Sequence, residues 1–164
     1  MTILDDDMKR VIKEQSLGFV ATVCPDGSPN LSPKGTMAVW DDDTLIFADL
    51  ASPNTMANIL VNPVVEVNVV DPVRRKGYRF RGRASVHRTG AVFDRAVRSF
   101  EEHGVEANRI HGVAVVQVER AVAVFSPAYA RGMSEGEIVE RFARRLEKIH
   151  GWKIERPPET EAEN

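Results

Sequence analysis

The chain carries a single cysteine, Cys24, so no intrachain disulfide can form, and the compartment this predicts is a reducing cytoplasm. Its four histidines, His87, His103, His111 and His150, show no metal-ligand spacing and have no second cysteine to join them, which disfavours a zinc site. Asp41, Asp42 and Asp43 lack the spaced ligands and distal glutamate of a calcium loop. No uninterrupted apolar run approaches bilayer length, and the start of the chain holds Asp5, Asp6 and Asp7 where a signal segment would be basic and then apolar. GxGxxG, GxxxxGK and GxSxG are all missing, against Rossmann, P-loop and α/β-hydrolase chemistry. A formal charge of −2 argues against a protein that coats nucleic acid by electrostatics.

What is present suits one domain. At 164 residues the chain can bury roughly two-thirds of its unfolded surface without a staple. Ile3, Leu4, Met8, Val11 and Ile12 recur at helical spacing behind the three aspartates. Gly18 to Cys24 then reads as a strand ended by Pro25, Asp26 and Gly27, with a return strand over Pro29 to Trp40. Asp41 to Asp43 turn into a strand over Thr44 to Ala48. Pro53 opens a helix with Met56, Ile59 and Leu60 as its apolar face, stopped by Asn62 and Pro63.

Val64 to Val70 and Tyr78 to His87 are further strands. In the second, Tyr78, Phe80, Gly82, Ala84 and Val86 alternate with Arg79, Arg81, Arg83, Ser85 and His87, giving one apolar and one basic face. Phe93 to Phe100 forms a helix stopped near Gly104, and Val113 to Val118 and Val122 to Phe125 return to strand. Ser134 and Glu137 make a capping box ahead of a stripe of Ile138, Phe142, Leu146 and Ile149. The expected architecture is mainly β with peripheral helices, six to eight short antiparallel strands closing as a small barrel over residues 1–152, followed by an acidic tail over 153–164.

Chemistry concentrates between Leu31 and Pro63. Lys34 supplies a full positive charge, and Ser52, Asn54 and Thr55 fall where a helix begins and its first N–H groups lack partners. Together they suit a phosphate. Each also has a plainer reading: Lys34 as a solvated strand lysine, Ser52 as an N-cap. The basic run Arg74, Arg75, Lys76, Arg79, Arg81 and Arg83 suits a face for single-stranded nucleic acid, but Tyr78 and Phe80 fall on its apolar side, where they cannot stack on bases.

Three segments, GFVATVCPDGSPNLSPKG, TLIFADLASPNTMANILVNP and GYRFRGRA, resemble in order and spacing the pyridoxamine 5′-phosphate oxidase-like family of FMN-binding split β-barrels. The resemblance implies an FMN-dependent oxidoreductase with its cofactor at a homodimer interface. It implies that Ser32, Pro33, Lys34 and Gly35 run along the flavin with the backbone near Asp49, while Ser52, Asn54 and Thr55 meet the phosphate. Of the basic run, Arg79 or Arg81 is expected to help neutralise a bound phosphate or to pair across a dimer. FAD, a deazaflavin or haem fit the resemblance less well than FMN. The chain departs from the family's pyridoxamine-phosphate-oxidising members in having Pro53 and Asn54 where they carry basic residues in the phosphate turn, and in lacking their C-terminal Arg/His motif, so the substrate and electron donor stay unnamed. A non-catalytic flavin or haem binder is the alternative on the same fold, and a single-strand nucleic-acid barrel the second.

Overall fold

A computed structural model describes residues 3–155. Seven strands, β1 (Gly18–Val23), β2 (Pro29–Lys34), β3 (Ala38–Val39), β4 (Thr44–Asp49), β5 (Val64–Asp71), β6 (Lys76–His87) and β7 (Gly112–Phe125), form one sheet in the order β2-β1-β5-β6-β7-β4-β3. Every pairing is antiparallel. Five helices surround it: α1 (Asp6–Gln15), α2 (Pro53–Val61), α3 (Ala91–Glu102), α4 (Pro127–Ala130) and α5 (Glu135–His150). The fold is mainly β with peripheral helices. Among the described residues no helix is long and apolar enough to cross a membrane.

The strand order forces the sheet to curl. β2 and β3 are its two edges, yet only Gly35, Thr36 and Met37 join them. Six inter-strand spacings laid flat would separate the edges by about 29 Å, whereas four Cα steps reach at most about 15 Å. The edges must therefore curve back towards each other. No ladder joins β2 to β3 among the described residues, so the barrel stays split along that seam.

Alternation along β5 and β6 puts Val65, Val67, Val69, Phe80 and Ala84 inside, where they meet Val20, Leu45, Phe47, Val116 and Val118. Leu4, just before α1, and Ile12 of α1 join this core, and α2 adds Met56 and Ile59. β4 is buried along its whole length, because its second face, Ile46 and Ala48, packs with Ala96 and Phe100 of α3. That explains its unbroken apolar run.

Four sequence expectations shift. The return strand expected over Pro29 to Trp40 is two strands, broken where the chain crosses the seam. The two late strands are one, β7, interrupted only by a bulge. α2 buries Thr55, Met56, Asn58 and Ile59, leaving Leu60 60% exposed; Asn58 takes the inward position because its amide donates to Thr22 Oγ1 at 3.0 Å. On α5 the buried residues are Ile138, Val139 and Ala143, and Ile149 is exposed. Of the acidic tail, residues 156–164 lie outside the described residues.

The capping box of α5 is present on both sides: Glu137 N donates to Ser134 Oγ at 3.3 Å, and Ser134 N donates to the Glu137 carboxylate at 2.8 Å. Ser134→Ala should cost about 1 kcal/mol, read as a lower urea midpoint at unchanged slope. No change in midpoint would mean that α5 is held by its packed face alone.

Candidate functional site

The seam holds an open groove of about 490 Å³, walled by Ser32, Pro33, Lys34, Gly35 and Thr36 from the β2–β3 crossing and by Ala48, Leu50, Ala51 and Ser52 from the end of β4 and the turn after it. Barrel closure thus brings together two segments some fifteen residues apart in sequence and at opposite ends of the strand order. Thr36 ties them: its Oγ1 accepts from Ala48 N at 2.9 Å.

Lys34 closes β2 and is only 4% exposed. Its Nζ donates to Ser32 Oγ and lies 5.7 Å from the Phe47 ring centroid. Among the described residues it has no ion pair within 4.0 Å. Burial lowers its pKa from the ordinary 10.5, and the charge of Asp49 acts the other way without cancelling the effect. An ammonium has three N–H donors, and this one sits beside a groove with a single hydroxyl as partner, so an anion there would meet a charge already stripped of water.

A lowered folded-state pKa fixes the sign of a stability effect. Between that lowered value and 10.5 the unfolded chain holds the Lys34 proton more firmly than the folded one, so this group's contribution makes stability rise with pH. The urea midpoint of the wild type should accordingly gain on that of Lys34→Met across the alkaline window. A constant difference between the two proteins would remove the desolvated ammonium from the account.

Behind the opposite wall, Asp49 is buried at 6% exposure and its Oδ1 accepts from both Ser52 N, at 2.8 Å, and Ser52 Oγ, at 3.1 Å. Ser52 occupies the N-cap position of α2, but its hydroxyl is turned to Asp49, and it makes no side-chain cap bond. Pro53 has no N–H to satisfy. The positive end of the α2 dipole is therefore left without a side-chain cap at the rim of the groove.

Five of the nine residues singled out from sequence, Ser32, Pro33, Lys34, Gly35 and Ser52, are walls of this groove, and Asp49 braces it from behind. Three are elsewhere. Asn54 is exposed on the first turn of α2. Thr55 is buried beneath that helix, where Asn30 Nδ2 donates to its Oγ1 at 3.4 Å. Arg81 lies on the outer face of β6 beside Arg79 and Arg120. Sequence reading missed Thr36, Ala48, Leu50 and Ala51; only the position of Thr36 next to Gly35, and of the other three beside Asp49, pointed to them.

The family model described as pyridoxamine 5′-phosphate oxidase matches residues 4–133. Among solved structures, the HupZ protein of Group A Streptococcus is 34% identical over 74% of this chain and 94% of its own, with a TM-score of 0.68. An FMN-binding protein from Syntrophomonas wolfei subsp. wolfei shares 18% identity over 75% of this chain and 87% of its own, TM-score 0.63. An F420 reductase shares 22% over 72% and 98%, TM-score 0.57. These last two likenesses are of fold. No curated protein matches the chain.

Proposed function

The chain belongs to the pyridoxamine 5′-phosphate oxidase family, and from that premise we propose that it binds FMN in the seam groove as a homodimer and acts as an oxidoreductase on a small molecule. One observation carries the reading: a buried lysine and an uncapped helix N-terminus converge on a single groove from opposite sides of the seam. Lys34 contributes the charge and the backbone N–H groups that open α2 after Ser52 the neutral donors, a set whose chemistry fits a phosphate monoester. Ser32, Pro33, Gly35 and the backbone at Asp49 would run beside the ring system. The bound flavin would supply the redox chemistry. This chain's own residues would hold and orient it.

The groove is open on one side, and a flat ring needs a second wall. The outer faces of β1 and β2 offer the means: Phe19, Val23 and Leu31 are 42%, 38% and 65% exposed, and their register sets Phe19 beside Pro33, a groove wall. An apolar patch of this kind, running into the groove, suits a second copy. Light scattering after size exclusion should report twice the chain mass. A monomer that binds FMN tightly would contradict the shared-wall geometry.

Among the groove walls Lys34 is the only titratable side chain, which favours one second reading, a protein that binds a flavin without turnover. The visible spectrum of the purified protein, with chromatography of what acid releases, tests the binding. A released FMN supports it, and a colourless protein that takes up no added FMN overturns it. Reduction by NADH or NADPH with turnover of an acceptor then separates enzyme from binder. The single thiol suits work in a reducing cytoplasm.

A further inference from the structure

Arg81 and Arg120 stand opposite each other across β6 and β7 because of an irregularity in the ladder. The register passes from Gly82 against Val118 to Arg81 against Arg120, so Glu119 is an extra residue on β7. A continuous ladder would set Arg81 against Glu119, an opposite-charge pair that stabilises a sheet; the bulge replaces it with two like charges, which is destabilising. The register is tightly fixed at this point. A Cβ on residue 82 would lie 2.0 Å from the Gln117 carbonyl oxygen, so only glycine fits there.

The surroundings do not neutralise the pair. Arg81 and Arg120 line, with Arg79, Glu66 and Val122, a depression of about 180 Å³. Glu66 is the one carboxylate in it, and Arg79 Nε already takes it at 2.7 Å. Among the described residues neither Arg81 nor Arg120 has a carboxylate oxygen within 4.0 Å. Two guanidinium groups on neighbouring strands, in a concave setting whose one carboxylate, Glu66 opposite Arg81 on β5, is already paired with Arg79, form the donor set that planar bidentate recognition of phosphate uses.

We propose that this depression is a second anion site, distinct from the seam groove, which takes the phosphate or diphosphate group of a small molecule. Its size, about 180 Å³, fits such a group. No aromatic ring borders it, since Phe80 is fully buried on the other face of β6, and a base-stacking platform for single-stranded nucleic acid is therefore missing. The bulge makes sense as the means of setting Arg120 beside Arg81: the like-charge pair costs stability in the free protein and is relieved when a dianion bridges it. This site does not depend on the flavin reading.

Thermal unfolding of the full chain at constant ionic strength tests it, with inorganic pyrophosphate as the probe. The wild type should gain about 3 °C or more at saturating pyrophosphate. Lys34→Ala should keep that gain, while Arg81→Gln combined with Arg120→Gln should lose it and unfold at a higher temperature than the wild type in the absence of probe. The single Arg120→Gln variant should show the same loss, and Arg83→Gln, two residues along β6, should respond like the wild type. An equal response to ADP would identify a terminal diphosphate as the group recognised, and a response to pyrophosphate alone the free diphosphate. A gain that survives in the double-arginine variant, or one abolished by Lys34→Ala, would overturn the second site; so would an arginine-dependent response to a single-stranded oligonucleotide with none to pyrophosphate.

Discussion

Lys34→Ala should weaken FMN binding by roughly ten- to a hundredfold, the factor expected when one charge-assisted hydrogen bond to a phosphate is lost. The same change should leave the empty protein as stable as before or slightly more so. Lys34 is a cation held at 4% exposure whose protonated form burial disfavours, and removing it relieves that desolvation cost. Loss of cofactor without loss of fold is the signature that separates a ligand contact from a structural lysine. Fluorescence titration of FMN, paired with urea unfolding of the empty protein, reads both quantities. Unchanged affinity would take Lys34 out of the site, and a destabilised empty protein would make it a packing residue. Binding should also weaken as pH rises through the lowered Lys34 pKa, because the anion prefers the protonated form.

Phe47→Ala is expected to cost about 3–5 kcal/mol, among the largest losses available from a single side chain here. Phe47 is fully buried on β4, between β7 and β3, and deleting its ring leaves a cavity that the surrounding ladder cannot close. For a chain of this size the melting temperature should fall by about 10 °C. The change should also loosen the groove, since the ring lies under the Lys34 ammonium. Val67→Ala provides the comparison: it removes buried volume from the same core without touching a groove wall, so it should lower stability with little change in FMN affinity. A loss below about 1 kcal/mol for Phe47→Ala would mean the core repacks around the gap.

Where a local pattern decides structure, the sequence was readable. The β1–β2 hairpin follows from Pro25, Asp26 and Gly27, the entry to α2 from Pro53, and the capping box from Ser134 and Glu137. The inside-outside alternation of β6 placed Arg79, Arg81 and Arg83 on the outer face. What was hidden depends on register and closure, which are non-local. Nothing in Gly35, Thr36 and Met37 announces that Lys34 and Ala38 belong to opposite sheet edges. Glu119 and Arg120 look like an interruption between two strands, but the ladder absorbs them as a bulge. Asn58 outcompetes Leu60 for the inner face of α2 only because Thr22 waits there with a hydroxyl. The hydroxyl of Ser52 turns to Asp49 for a similar reason: a buried carboxylate close by takes its one O–H donor.

For the candidate site, residue types indicated a phosphate-binding region, and topology decided which of them share it. Lys34 and Ser52 stand on one groove, while Thr55 and Arg81 are carried away by the helix face and strand register they occupy. The bulge at Glu119 illustrates the limit most clearly, since like charges aligned by an extra residue cannot be seen without the pairing.

The most direct test of the central claim is a crystal structure of the protein grown with FMN. The account predicts the phosphate oxygens at hydrogen-bonding distance, about 3 Å, from Lys34 Nζ and from the backbone N–H groups that open α2. A flavin whose phosphate lies away from both Lys34 and the Ser52 turn would contradict it.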